Sequence, residues 1–90
     1  MNKSGHYVYI IECLDSTIYT GYTTDINRRM TEHKLGAPTS AKYVLARGFS
    51  RLLYVEDWPD RSAAMKREYE IKQLSRQQKL ELIRHKNTAE

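Results

Sequence analysis

From Tyr7 to Cys13 the chain alternates, with Tyr7, Tyr9, Ile11 and Cys13 on one face of a strand and Val8, Ile10 and Glu12 on the other. Both faces are largely apolar, which predicts a central strand covered on both sides. Leu14-Asp15-Ser16 has turn chemistry and Thr17 to Thr23 is a second β-rich run, so the two runs form a hairpin. The length of its loop decides what it can do, because directly opposed residues share a face. A two-residue loop, Asp15-Ser16, would pair Tyr9 with Tyr22 and send Tyr9 and Tyr19 to opposite faces. A three-residue loop, Leu14 to Ser16, pairs Tyr9 with Gly21 and Ile11 with Tyr19. That second register gathers both tyrosines beside a glycine, which would leave room for a ligand or another backbone, and it is the expected one.

Beyond the hairpin, Thr24 or Asp25 is a credible N-cap for a helix that ends at Leu35-Gly36. Ile26, Arg29, Met30 and His33 share one face of it, so an arginine and a histidine lie on the inward stripe. Either Arg29 lays its alkyl stem over the core with its head outward and His33 is an ordinary half-buried histidine, or the two belong to a site. Ala37 to Ser40 breaks regular structure, and Ala41 to Arg47 is a short helix or a loop. Leu52 to Val55, continuing to Trp58, reads as a third strand ended by Pro59, with Asp60 or Ser62 capping a helix over roughly 60–74. On that helix Glu68 interrupts the apolar stripe of Ala64 and Ile71, with Met65 and Lys72 flanking it. A carboxylate held there needs a cation, a donor or a metal. Ser75 and Gln78 fit a capping box, Leu80 and Ile83 give the last helix a modest apolar face to about Lys86, and Asn87 to Glu90 reads as a frayed tail.

Ninety residues make a single domain, with a core at about 6–86 between short tails. The lone cysteine, Cys13, cannot form an internal disulfide and reads as a small buried side chain in a reducing compartment. No apolar run approaches the roughly 20 residues of a membrane span, and the N-terminus lacks a signal-peptide pattern, so a soluble cytoplasmic protein is expected. The net charge of +4 is uneven: residues 1–27 carry one lysine against three carboxylates, and the basic excess lies in the rest of the chain. That asymmetry suits an anionic partner such as nucleic acid. Lys42, Arg47 and Arg51 would form a phosphate-contacting rim or simply a solvated surface; His6 and His85 have no companion at metal-ligand spacing and read as surface residues.

Taken in order, Tyr7-Val8-Tyr9, Tyr19-Thr20-Gly21, Arg29, His33 and Glu68 resemble the signature of the GIY-YIG nuclease superfamily, and the segment SAAMKREYEIKQLSRQQK is similar to its small stand-alone bacterial members. Tyr7 stands where the first motif has glycine and Thr20 where the second has isoleucine; Asn87, in the tail, does not replace the late asparagine that many members carry. The resemblance implies an α+β fold, a three-stranded antiparallel sheet flanked by helices. It also implies a metal-dependent phosphodiesterase acting on DNA or RNA with low sequence specificity, in DNA repair or processing. Tyr9 and Tyr19 would then line the nucleophile side, one serving as or relaying to the general base. Arg29 would hold the scissile phosphate, His33 would assist by hydrogen bonding, Gly21 would be structural, and Glu68 would bind a single Mg²⁺ or Mn²⁺. Two other readings fit these residues: a nucleic-acid-binding module without turnover, and a protein-interaction domain in which Glu68 and Arg29 form a structural ion pair.

Overall fold

The computed structural model describes residues 5–88; the expected N-terminal tail and the last two residues of the C-terminal one lie outside the described residues. Seven elements follow in order: β1 (His6–Cys13), β2 (Ile18–Thr23), α1 (Ile26–Leu35), α2 (Lys42–Arg47), β3 (Phe49–Trp58), α3 (Arg61–Lys72) and α4 (Arg76–Thr88). The three strands form one antiparallel sheet in the order β2-β1-β3. β1 is therefore central, as its two apolar faces require. Val8 and Ile10 pack with Tyr54, Ala64, Ile71 and Ile83 under α3 and α4. Tyr9 and Ile11 pack on the opposite side with Val44, Ile26 and Met30, under α1 and α2.

The hairpin has the three-residue loop. Cys13 N–H donates to the Thr17 carbonyl at 2.8 Å, and Ser16 N–H donates to the Cys13 carbonyl at 3.0 Å. Ser16 closes the turn with φ +71°, a left-handed third loop residue that returns the chain in register. Tyr9 consequently faces Gly21, and Ile11 faces Tyr19. Asp25 caps α1 by accepting from Arg28 N–H at 3.0 Å, and Gly36 ends it at φ +67°. Asp60 caps α3 through Ala63 N–H, and Ser75 and Gln78 exchange the reciprocal bonds of the capping box.

β3 starts at Phe49, earlier than the Leu52 expected from its apolar pattern. Gly48, at φ +81°, turns the chain and its carbonyl accepts from Leu14 N–H, which starts the ladder with Cys13 opposite Phe49. Two register irregularities, between Ile10 and Ile11 and between Glu12 and Cys13, carry polar Ser50 and Arg51 into the strand. One polar cluster fixes α3 on the sheet. Arg67 donates from Nε to Glu56 Oε1 at 2.9 Å and from Nη2 to Oε2 at 3.0 Å, while Trp58 Nε1 and the Tyr54 hydroxyl donate to the same carboxylate. A carboxylate with that many donors orients its helix as well as its charge.

Thr20 lies opposite Ile10 and is 2 % exposed. Among the described residues its Oγ1 is the one buried side-chain nitrogen or oxygen atom without a hydrogen-bond partner. Replacing an orphaned hydroxyl by a methyl group of the same shape removes a desolvation cost of about 1 kcal/mol or more. Thr20→Val should therefore raise the urea midpoint of unfolding, and a fall would mean that the hydroxyl has a partner.

Candidate functional site

Tyr9 is fully buried, and its ring lies against Gly21. A Cβ at position 21 would sit 2.6 Å from Tyr9 Cζ and 3.1 Å from Tyr19 Cε2, with the Tyr9 hydroxyl closer still. The space beside Gly21 is thus filled by the phenol of Tyr9, and not left open for a ligand as the sequence suggested. The glycine is needed because the tyrosine comes so near.

The Tyr9 hydroxyl is 2.9 Å from His33 Nε2, and Arg29 Nε donates to it at 3.4 Å. On its other side His33 Nδ1 lies 2.6 Å from Ser40 Oγ. Arg29 can only donate, so the arrangement that satisfies every group runs in one direction. Arg29 donates to the Tyr9 oxygen, the Tyr9 hydroxyl donates to Nε2 and keeps its proton, and His33 carries its own proton on Nδ1 and donates to Ser40. All three of Tyr9, His33 and Ser40 are buried. Burial pushes the Tyr9 phenol up to about 12 against the hydrogen bond and charge of Arg29; the charges of Tyr19 and Glu68 add to the rise. Burial, then the nearby Arg29 charge, lowers His33 to about 4. The proton therefore rests on Tyr9, beside a neutral imidazole.

Arg29 is held from its other edge. Its Nη1 donates to Glu32 Oε1 at 2.8 Å and to the Thr39 carbonyl at 2.7 Å. The segment after α1 thus clamps both side chains, Thr39 through its backbone and Ser40 through its hydroxyl. Glu32, one turn from Arg29, could have been suspected from helical spacing. Ser40 sits in a turn where polar residues are routine, and nothing in the sequence singles it out.

Tyr19 joins Tyr9 on the same face, with ring centroids 6.5 Å apart, and stacks on Tyr43 of α2 at 5.5 Å. Glu68 comes from α3 with a side chain only 14 % exposed, and Lys72 Nζ lies 3.3 Å from its carboxylate. Lys72 is also 5.9 Å from the Tyr19 ring, so this stripe of α3 reaches the tyrosine side of β2. Glu68 and Arg29 each take a partner on their own helix, which removes the structural ion pair considered from the sequence. The basic rim also divides. Lys42 is exposed on α2, and Arg47 lies over the Tyr43 ring at 4.5 Å with Nη1 2.7 Å from Asp15. Arg51 is elsewhere: opposite Glu12 on β3 it takes the Val8 face of the sheet, binds Glu12 Oε1 at 2.8 Å, and lines a groove with Arg76 beside α4.

Among the described residues no group of three or more His, Cys, Asp or Glu side chains could hold a metal ion. Glu68 by itself fits a narrower case. Mg²⁺ keeps several waters and binds through one or two carboxylates with phosphate oxygens supplying the rest, so the site suits a hard ion shared with substrate.

The sequence pattern of the GIY-YIG catalytic domain matches residues 5–81. The chain belongs to the GIY-YIG family. A UPF0213 protein of Halobacterium salinarum is 54 % identical over 74 residues, which cover 82 % of this chain and 94 % of that one. Another from Staphylococcus haemolyticus is 50 % identical over 78 residues, covering 87 % and 93 %. The solution NMR structure of a UPF0213 protein from Bacillus halodurans is similar at a TM-score of 0.59, with 48 % identity over 92 % of this chain and 86 % of that one. GIY-YIG is a nuclease family, whose members generally use divalent metal ions on nucleic-acid substrates. Among the described residues no helix is long and apolar enough to cross a membrane.

For this GIY-YIG domain the depressed His33 has a stability consequence. Between pH 6.5 and about 4 the unfolded histidine binds a proton that the folded one refuses, so stability is lost as pH falls through that window and the loss levels off below it. The total is on the order of a few kcal/mol. Denaturant titrations of wild type and His33→Gln across the window should show the steeper acid loss in wild type; parallel curves would refute a buried neutral His33.

Proposed function

We propose that the protein is a divalent-metal-dependent nuclease that hydrolyses phosphodiester bonds in DNA with little sequence preference, acting in the cytoplasm in DNA repair or processing. The observation that carries this reading is the meeting of Tyr9, Tyr19 and Arg29 on one face of the sheet with a mostly buried carboxylate, Glu68, delivered from α3. Phosphodiester hydrolysis needs a permanent cation at the phosphate, a group that receives the attacking water, and a carboxylate for a metal. The buried thiol of Cys13 suits a reducing compartment.

Arg29 holds the phosphate. Its Nε is turned to Tyr9 and its Nη1 is taken by Glu32 and Thr39, so Nη2 is the nitrogen that meets a phosphate oxygen. The guanidinium stays charged at any working pH and arrives already oriented. The two tyrosines have different tasks. Tyr9 is fully buried with its hydroxyl committed to Arg29 and His33, and it keeps those two side chains in place. Tyr19 is partly exposed, and its hydroxyl has no hydrogen bond among the described residues. It is the phenol that would take the proton of the attacking water, passing its own hydroxyl proton on to solvent as it does so. Glu68 would hold the ion, and Lys72 is close enough to compete for the same carboxylate. Bound there, a divalent ion would polarise the phosphate, stabilise the leaving oxygen and cancel the carboxylate charge that now raises Tyr9.

The test is cleavage of single-stranded, duplex and branched DNA, and of RNA, with Mg²⁺ or Mn²⁺ and with chelator, alongside Glu68→Gln and Arg29→Ala. Turnover should require the ion and fall by about 100-fold or more in either variant, the scale for removing one transition-state contact. Cleavage that survives both substitutions belongs to a contaminant and sinks the assignment. Salt-sensitive binding without turnover would make the domain a binding module instead.

A further inference from the structure

We propose that Tyr43 is a stacking platform for an unpaired nucleobase beside the scissile phosphate, so that the substrate is nucleic acid with a single-stranded segment. This rests on the nuclease reading and specifies its substrate.

α2 is a helix of one and a half turns whose buried residue is Val44, only 1 % exposed. Its neighbour Tyr43 stacks on Tyr19 and remains 37 % exposed. The Tyr43 ring instead continues an aromatic series that starts in the core. Tyr9 is 6.5 Å from Tyr19, and Tyr19 is 5.5 Å from Tyr43 with their planes inclined by 27°. The series runs from the buried phenol, through the phenol assigned to the attacking water, to the surface. Two cations lie against this series, Lys72 at 5.9 Å from the Tyr19 ring and the Arg47 guanidinium at 4.5 Å from the Tyr43 ring centre, and exposed Lys42 is next to Tyr43 in the chain. An exposed flat ring among phosphate-seeking cations is what a single strand recognises, because every base has a face to stack and every nucleotide a phosphate to neutralise.

Arg47 covers the ring only loosely. Its pair with Asp15 leaves both side chains 42 % exposed, and such surface pairs are weak. An exposed cation–π contact is worth about two- to fivefold in an equilibrium constant, whereas a base on an aromatic ring is worth about five- to 150-fold. A phosphate that draws Arg47 off Tyr43 therefore uncovers a better site for a base than for the guanidinium. A base inside a duplex cannot use it, since both of its faces are already stacked. A single strand, a flap or a frayed end can.

Binding measured by fluorescence anisotropy in chelator, where no cleavage occurs, tests this with three probes of equal length: a thymidine oligonucleotide, its abasic counterpart and a duplex. Wild type should prefer the thymidine strand. Tyr43→Leu should lose about fivefold or more on that strand and little on the abasic one, while Tyr43→Phe should retain wild-type affinity. A 2-aminopurine strand should be quenched on binding wild type, an outcome that does not depend on the variants folding. Equal losses on all three probes, or no quenching, would overturn the platform and leave the nuclease reading standing. Failure of wild type to bind any of the probes would overturn both.

Discussion

The hydrogen bond between the Tyr9 hydroxyl and His33 Nε2 ties the central strand to α1, and the candidate site is arranged around it. It closes only because several separate conditions hold. The loop has an odd number of residues, so Tyr9 falls on the face that α1 covers; position 21 has no side chain; and Asp25 starts α1 where His33 projects inward. Because the bond is buried it also fixes protonation, with a phenol pushed up and an imidazole pushed down. Arg29 donates to the same hydroxyl, while Glu32 and the Thr39 carbonyl hold its other edge. The guanidinium proposed to bind phosphate thus shares a buried hydroxyl with the bond that ties β1 to α1.

Three cations of this site already carry an acid: Arg29 has Glu32, Lys72 has Glu68, and Arg47 has Asp15. On the proposed function, a substrate phosphate at these three would exchange with carboxylates rather than meet bare charge. The cost differs with burial. The Arg47 pair is open to solvent and yields cheaply, whereas Arg29 and Glu32 are both mostly covered and hold one geometry. Outer contacts can be traded while the inner arginine stays fixed.

Much of this was legible in the chain. The hairpin register followed from parity once the loop was fixed, the inward stripe of Arg29 and His33 followed from helical spacing, and Glu68 stood out as a carboxylate in an apolar row. What escaped was set by contacts between distant segments. Ser40 and the Thr39 carbonyl serve the site because a turn folds back over α1. Arg51 left the rim because its partner across the ladder, Glu12, lies on the other face, and β3 began early because Gly48 pairs with the hairpin loop. Periodicity within one segment carries no information about such pairings. Gly21 shows the same limit in reverse: its importance was visible, but what filled its empty side was another residue of the motif.

That last contact makes two short motifs, on the two strands of one hairpin, into one mechanical part. Tyr9 and Gly21 occupy a single volume, so neither position can drift alone: a side chain at 21 must push the phenol off His33, and a smaller residue at 9 leaves a hole that only a larger residue at 21 can fill. A compensated pair would restore the packing and lose the hydroxyl. Such an exchange takes two substitutions, and it would keep the packing of this corner while the link from the central strand to α1 is lost.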